Sequence, residues 1–198
     1  SAVFSPDGSQ ILTASLLDKT ARLWDTKGNL LAVFRGHEGY VESAKFSPNG
    51  RQILTDSRYP YGTARLWDIK GNLLAEFRGR EDVDRGGVTH YRAVFSPDGS
   101  QILIASADGT ALLWDTKGNL LAQFQGGDHY HFRVNSAVFS PDGRQILTAS
   151  GDKTARLWDT KGNPLAIFRG HEKGVNSAIF SPDGSQILTA SDDRTARL

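Results

Sequence analysis

Residues 134–169 read VNSAVFSPDGRQILTASGDKTARLWDTKGNPLAIFR, and four other versions of this segment fill most of the chain. The Ser-Pro-Asp-Gly of residues 140–143 recurs at 5–8, 96–99 and 181–184, and as Ser-Pro-Asn-Gly at 47–50. Trp158-Asp159 recurs at residues 24–25, 67–68 and 114–115. These marks are spaced by about 42 residues, with occasional insertions, which indicates an array of one repeated structural unit.

Each unit contains four short apolar runs separated by turn signals, and no run has a helical period. In the first unit the runs cover residues 2–4, 10–14, 20–24 and 30–34, which we call strands a, b, c and d. Pro6 presets φ in the a–b turn, and Gly28 supplies the positive φ of a tight c–d turn. The pattern predicts an all-β fold in which each unit is a four-stranded antiparallel meander.

The unit resembles a WD40 repeat in its Trp-Asp pair and in Gly36-His37 and Gly170-His171, which precede strand a. The resemblance covers the whole chain and implies a WD40-type β-propeller with four complete blades and three strands of a fifth. We expect a single repeat domain over 1–198, with blades at about 1–35, 40–78, 90–125, 134–169 and 175–198. The near-identical copies are similar to those of highly repetitive bacterial propellers, which often form the C-terminal part of larger signalling or defence proteins.

Charge and composition exclude several classes of function. The chain has 23 Lys+Arg against 22 Asp+Glu, so its net charge of +1 argues against binding nucleic acid through bulk electrostatics. It has no apolar run long enough to span a membrane. It contains no cysteine, which excludes thiolate metal sites and fits a cytoplasmic location. We therefore expect no nucleic-acid partner, no membrane contact and no cofactor.

The resemblance also implies a hydrogen-bond cluster in each blade, linking the Trp N–H, a strand-b hydroxyl, the His of Gly-His and an Asp of the b–c turn. Blade 2 lacks an aligned Asp, blade 3 has Gly79-Arg80 in place of Gly-His, and in blade 4 the imidazole is assigned to His129. The candidate residues are Ser15, Asp18, Trp24, His37, Ser57, Trp67, Ser106, Asp108, Trp114, His129, Ser150, Asp152, Trp158, His171, Ser191 and Asp193. Because this set recurs beside a Trp in several copies, a structural clamp is favoured over a Ser-His-Asp catalytic triad, and no catalytic residue is predicted.

Differences between the copies point to a binding surface. The a–b and c–d turns are nearly constant, whereas the insertions fall in b–c turns and d–a connections, which lie together on the opposite end of a meander. We call this end the b–c/d–a face, and tolerated drift of loop tips is the alternative explanation. The candidate binding residues in its loops are Arg58, Tyr59, Tyr61, Arg85, His129, Tyr130, His131, Phe132 and Arg133, and those around the central opening are Tyr40, Glu42, Tyr91, Asn135 and Asn176.

A metal site is the alternative interpretation of the loop that enters blade 4, residues 127–133. His129 and His131 would point to the same side of an extended segment and could bind a metal with Asp128. The sequence fixes no third strong ligand, and one histidine is assigned to the blade cluster. No metal site is therefore predicted.

The sequence thus favours a non-enzymatic scaffold or ligand-recognition module that binds a protein or peptide on the b–c/d–a face. One alternative is a sensor or regulatory propeller of a larger bacterial NTPase or protease, and another is a glycan or small-molecule binder that uses the loop aromatics. The chain begins in strand a and ends within strand c. We expect a fragment of a larger ring, with completion by a second chain or an imperfectly closed array of five blades as alternatives.

Overall fold

The structure, a computed structural model, describes residues 1–58, 62–78, 92–106, 108–127 and 132–198. Its strands fall into five consecutive blades. Blade 1 contains β1 (Ala2–Phe4), β2 (Gln10–Ala14), β3 (Ala21–Asp25) and β4 (Leu30–Phe34). Blade 2 contains β5 (Tyr40–Phe46), β6 (Gln52–Arg58), β7 (Thr63–Asp68) and β8 (Leu73–Arg78). Blade 3 contains β9 (Arg92–Phe95), β10 (Gln101–Ala105), β11 (Thr110–Asp115) and β12 (Leu120–Gln125). Blade 4 contains β13 (Val134–Phe139), β14 (Gln145–Ser150), β15 (Ala155–Asp159) and β16 (Pro164–Phe168). Blade 5 contains β17 (Val175–Phe180), β18 (Ile187–Ser191) and β19 (Ala196–Arg197).

Within each blade the strands pair antiparallel and in chain order, giving four four-stranded sheets and one three-stranded sheet. This confirms the all-β fold class and the predicted set of four complete blades and a partial fifth. Strand a is innermost, since β1, β5, β9, β13 and β17 all line one central cavity. The described residues include no helix of the length and apolarity needed to cross a membrane.

The a–b turns are fixed by hydrogen bonds within the Ser-Pro-Asp-Gly motif. In blade 3 the Ser96 hydroxyl donates to Asp98 Oδ1 at 2.6 Å, and the Gly99 N–H donates to the Ser96 carbonyl at 2.9 Å. The hydrogen bond from Ser96 lowers the pKa of the Asp98 carboxyl below its ordinary value. Gly99 has a φ of +75°, a conformation that residues with a Cβ adopt only at a cost.

The same turns join each blade to the next. A Cβ placed on Gly99 would lie 3.2 Å from Cδ of Pro48, the proline of the preceding a–b turn. The corresponding glycines of blades 2, 4 and 5 also face the proline of the preceding blade, at 3.5–3.6 Å. A Pro–Gly contact therefore joins each blade to the next at the a–b end of the array.

The hydrophobic core lies between blades rather than within them. The strand-d phenylalanine of one blade packs against the strand-c tryptophan of the next, with ring centroids 5.8–5.9 Å apart in the pairs Phe34–Trp67, Phe77–Trp114 and Phe124–Trp158. These three phenylalanines are at most 1% exposed. Phe168 occupies the same position in blade 4 and is 37% exposed. Blades thus cover one another through one repeated aromatic pair.

Candidate functional site

The hydrogen-bond cluster of blade 2 is buried and uses every polar atom of its histidine. His37 Nε2 lies 2.7 Å from Thr55 Oγ1, and His37 Nδ1 lies 3.0 Å from Thr63 Oγ1. The Trp67 indole N–H donates to the same Thr55 oxygen at 2.8 Å. Thr63 thus makes the contact to Nδ1 that an aspartate of the b–c turn, Asp193, makes in blade 5. Burial, and secondarily the charge of Arg65, lower the pKa of His37 to about 4, so the imidazole is neutral at pH 7.

Blade 5 holds a version of the cluster that contains a carboxylate. His171 Nδ1 lies 2.8 Å from Asp193 Oδ2, and its Nε2 lies 2.9 Å from Thr189 Oγ1. The Thr195 hydroxyl donates to Asp193 Oδ1 at 2.6 Å. That hydrogen bond, together with the one from His171, holds the pKa of Asp193 well below its ordinary value. The structure therefore brings the predicted histidine and aspartate together.

The acceptor of the tryptophan N–H differs from the serine that the sequence analysis named. Trp24, Trp67 and Trp158 donate to Thr13, Thr55 and Thr148, at 3.0, 2.8 and 3.0 Å. Each of these threonines lies two residues before the named serine, on the same side of strand b. The serines serve the b–c turn instead: Ser15, Ser106, Ser150 and Ser191 accept a backbone N–H of the turn, and Ser57 contacts Thr63.

Blade 3 departs from this arrangement because Ile104 stands where the other blades have threonine. Within the described residues, Trp114 Nε1 and Asp108 Oδ2 are buried without a hydrogen-bond partner. The other Asp108 oxygen accepts from the Thr110 hydroxyl at 2.7 Å. Ile104 therefore offers no acceptor to the Trp114 N–H.

In blade 4, Gly127 stands where blade 2 has His37, and it lies against Ser150 and Asp152. Asp152 forms a 2.9 Å ion pair with Arg156, and both side chains are 5% exposed. His129, assigned to this cluster from the sequence, lies outside the described residues. In blade 1, Asp18 accepts from Thr20 and forms an ion pair with Arg22.

The blade 2 cluster lacks the arrangement of a catalytic triad. In blade 2 the Thr55 hydroxyl is fully buried and already accepts from Trp67, so it has no access to a substrate. The same bonding by Thr13 and Thr148 shows that the hydroxyl acts as an acceptor that holds the tryptophan. The geometry supports the structural clamp.

The b–c/d–a face is built by hydrogen bonds between its two kinds of loop. The Gly151 N–H of the blade 4 b–c turn donates to the Arg133 carbonyl of the d–a connection at 3.0 Å. The Asp192 N–H donates to the Gly174 carbonyl in the same way in blade 5, at 3.1 Å. The b–c turn and the d–a connection of one blade are thus neighbours on this face.

Three of the predicted residues around the central opening occupy one structural position. Glu42, Asn135 and Asn176 are each the extra residue of a β-bulge near the start of strand a. A bulge redirects the side chain that it carries. The Asn135 side-chain amide donates to the Val175 carbonyl of the next blade at 2.9 Å, and that of Asn176 donates to Asp192 at 2.6 Å. The bulges therefore place polar side chains near the start of strand a, at the b–c/d–a end of the blades.

The other predicted binding residues are either exposed or lie, wholly or in their side chain, outside the part of the chain that the structure describes. Tyr40, Phe132 and Arg133 are exposed, and Phe132 lies against Gly127 and Gly151. Arg58 ends β6, but its side chain is not described. The residues outside the described ranges are Tyr59, Tyr61, Arg85, Tyr91, His129, Tyr130 and His131.

The structure adds two residues to this face that the sequence analysis missed. Leu16 and Leu17 lie in the b–c turn of blade 1 and are 55% and 93% exposed. The turn lies beside the entry to blade 2, since Lys19 Nζ donates to the Glu38 carbonyl at 2.8 Å. The signal was present in the sequence, because this turn is one residue longer than in blades 4 and 5 and carries two leucines where those turns have Gly or Asp.

Metal binding finds no support in the described part of the chain. No group of three or more His, Asp or Glu side chains there is arranged to hold a metal ion. Asp128, His129 and His131, considered above as ligands, lie outside it.

The sequence matches a known repeat family and is similar to several known proteins. The family profile described as "WD domain, G-beta repeat" matches residues 1–25, 28–68, 71–115, 118–159 and 162–198. Human WD repeat and SOCS box-containing protein 1 is 46% identical over 54 residues, 26% of this chain and 13% of the relative. A WD repeat-containing protein of Synechocystis is 40% identical over 53 residues, 26% of this chain and 15% of the relative. Nuclear distribution protein nudF 2 of Talaromyces marneffei is 33% identical over 46 residues, 23% of this chain and 10% of the relative. The matches span 10–15% of the length of these relatives.

Proposed function

Because the chain belongs to the WD40-repeat family, whose members generally act as protein-interaction scaffolds, we propose that it is a non-enzymatic recognition module that binds a protein or peptide. The proposed binding surface is the b–c/d–a face. It is the end of the array that differs from blade to blade, while the a–b and c–d turns repeat almost unchanged. Variation confined to one end of a repeat array suits recognition of a particular partner.

The observation that carries this proposal is the exposure of large apolar side chains on that face. Leu16, Leu17, Tyr40 and Phe132 are between 37% and 93% exposed there. Exposed aromatic and aliphatic side chains beside polar groups are typical of protein-binding surfaces. The polar groups are supplied by the bulge residues of strand a and by Arg133.

A protein partner suits the charges of this face better than nucleic acid. Glu42, Asp192 and Arg133 bring both signs of charge to it, whereas a phosphate backbone requires a basic surface. Mixed charges give specificity toward a polypeptide with a complementary pattern.

Selection from a library of random peptides displayed on phage tests the surface. Peptides selected on the wild-type chain should lose at least about tenfold in affinity on Leu17→Asp/Tyr40→Ser, since both changes remove exposed apolar contacts. The matched control is Leu74→Asp/Leu121→Ser, which removes two half-exposed apolar side chains from strand d near the c–d turns. Equal binding to the wild type and to Leu17→Asp/Tyr40→Ser would place the site elsewhere.

A further inference from the structure

A cavity of about 710 Å³ lies at the a–b end of the central opening, opposite the b–c/d–a face. Every blade contributes the phenylalanine that ends strand a and the proline of the turn that follows. The phenylalanines are Phe4, Phe46, Phe95, Phe139 and Phe180. The volume falls within the range of roughly 300–1,000 Å³ typical of small-ligand sites.

One residue breaks the apolar character of this wall. Four blades place an aliphatic side chain before the phenylalanine, at Val3, Val94, Val138 and Ile179, whereas blade 2 places Lys45 there. Lys45 is the single ionisable residue among the described lining residues. The lining serines do not add polarity, because their hydroxyls are held in the a–b turns, as with Ser47 and Asn49 at 2.8 Å.

A second replacement in the same blade accompanies the lysine. Asp56 stands where the other blades have alanine, at positions 14, 105, 149 and 190. Its Oδ2 lies 3.5 Å from Lys45 Nζ and accepts from the Ser43 hydroxyl at 2.7 Å. Lys45 Nζ also donates to the Ala93 carbonyl of blade 3 at 2.6 Å. Blade 2 therefore differs from the other four by a matched pair of charged residues.

The two charges differ in access to the cavity. The Asp56 side chain is 5% exposed, whereas that of Lys45 is 38% exposed. An ammonium has three N–H donors, and the Ala93 carbonyl and the Asp56 carboxylate account for two of them. The third donor remains for a ligand at the wall, to which Lys45 and not Asp56 contributes a side chain.

We propose that this cavity binds a small amphipathic monoanion, with its apolar body among the phenylalanines and prolines and its carboxylate on Lys45. The apolar wall favours a body without polar groups, since burial of an unpaired polar group is costly. The single cation selects a carboxylate over an alcohol of the same length, because a charge-assisted hydrogen bond is the stronger one. The site is independent of the protein-binding face.

Calorimetric titration with octanoate and with 1-octanol tests the proposal on the wild-type chain and on Lys45→Val/Asp56→Ala. The double variant carries the residue pair of the other blades, so it leaves no buried unpaired charge and keeps the net charge unchanged. The wild type should bind octanoate about tenfold more tightly than octanol, as expected for one additional ion pair. The variant should lose this preference and still bind octanol.

Two results would overturn the proposal. One is equal affinity of the wild type and the variant for octanoate, which would remove Lys45 from the site. The other is absence of octanoate binding to the wild type at millimolar concentration while thermal unfolding shows the chain to be folded. Because the peptide-binding assay uses the opposite end, either result leaves the proposed function untouched.

Discussion

The buried imidazole of His37 links stability to pH. Its pKa is about 4 in the folded chain and 6.5 when it is exposed, so between these values the unfolded state binds more protons. Stability is therefore complete above pH 6.5 and falls as the pH is lowered toward 4, by up to about 3 kcal/mol. Urea unfolding at pH 7.5, 6 and 5 measures the effect.

The control for this prediction is His37→Gln, which removes the titrating group. The variant should be less stable at pH 7.5, but the difference from the wild type should shrink as the pH falls. A constant difference across this range would show that the imidazole does not titrate abnormally.

The bond between Trp158 and Thr148 is the second residue-scale test. Thr148→Val preserves shape but leaves the buried indole N–H unpaired, which should cost about 1–3 kcal/mol. In a Trp158→Phe background no N–H remains, so the same substitution should cost much less. Chemical denaturation of the four proteins gives the coupling energy. A cost that is equal in both backgrounds would mean that the bond contributes nothing.

At this scale the sequence predicted which kinds of residue form the clusters but not which hydroxyl pairs with the indole. Thr13 and Ser15 lie two apart on strand b and point to the same side, so alternation does not separate them. The register of the strands separates them. Ile11 lies opposite Trp24, and Thr13 is the next residue on the same side of strand b. The serine is present in every copy. A comparison of the serines therefore does not reveal that blade 3 lacks the threonine hydroxyl, because Ile104 replaces the threonine and not the serine.

At the scale of the element, the a–b turn offers a matched pair of glycines. Gly8 and Gly99 have φ values of +72° and +75°, but only Gly99 faces the proline of a preceding blade. Gly8→Ala should cost about 1 kcal/mol for the left-handed conformation alone. Gly99→Ala should cost about 1 kcal/mol more, because its Cβ would crowd Pro48. Thermal unfolding compares them, and equal costs would argue against the inter-blade contact.

Strands and turns were predictable because five copies repeat the same signals, whereas the bulges were not. Glu42, Asn135 and Asn176 were picked out as variable residues, but a single extra residue in strand a changes no turn motif and leaves the apolar pattern readable. Pairing with strand b makes the bulge visible. The extra residue has no partner in the strand ladder, so glutamate can stand there in blade 2 and asparagine in blades 4 and 5.

At the scale of the whole molecule, stability depends on the aromatic pairs between blades. Phe77 is 1% exposed and packs on Trp114, so Phe77→Ala should cost about 3–5 kcal/mol. Phe168→Ala should cost less than half as much, because Phe168 is already 37% exposed. Urea denaturation followed by tryptophan fluorescence separates the two. Similar losses would show that the core lies within blades rather than between them.

The candidate site was less predictable than the fold, because loops and strands from several blades form it together. Alternation of turns between the two ends follows from the meander, so the b–c/d–a face could be named from the sequence. Comparison of loop length drew attention to the longest insertions, whereas Leu16 and Leu17 lie in a turn that is longer by one residue. The central cavity arises from five strands that are far apart in the chain, and no single unit contains it.

The repeated Phe–Trp junction has a genetic consequence. Since three of the four internal boundaries join the same two surfaces, an in-frame duplication or deletion of one unit in the gene creates a boundary of the kind already present. The array can therefore change its number of blades in one event, whereas Lys45 and Asp56 mark one copy as distinct from its neighbours.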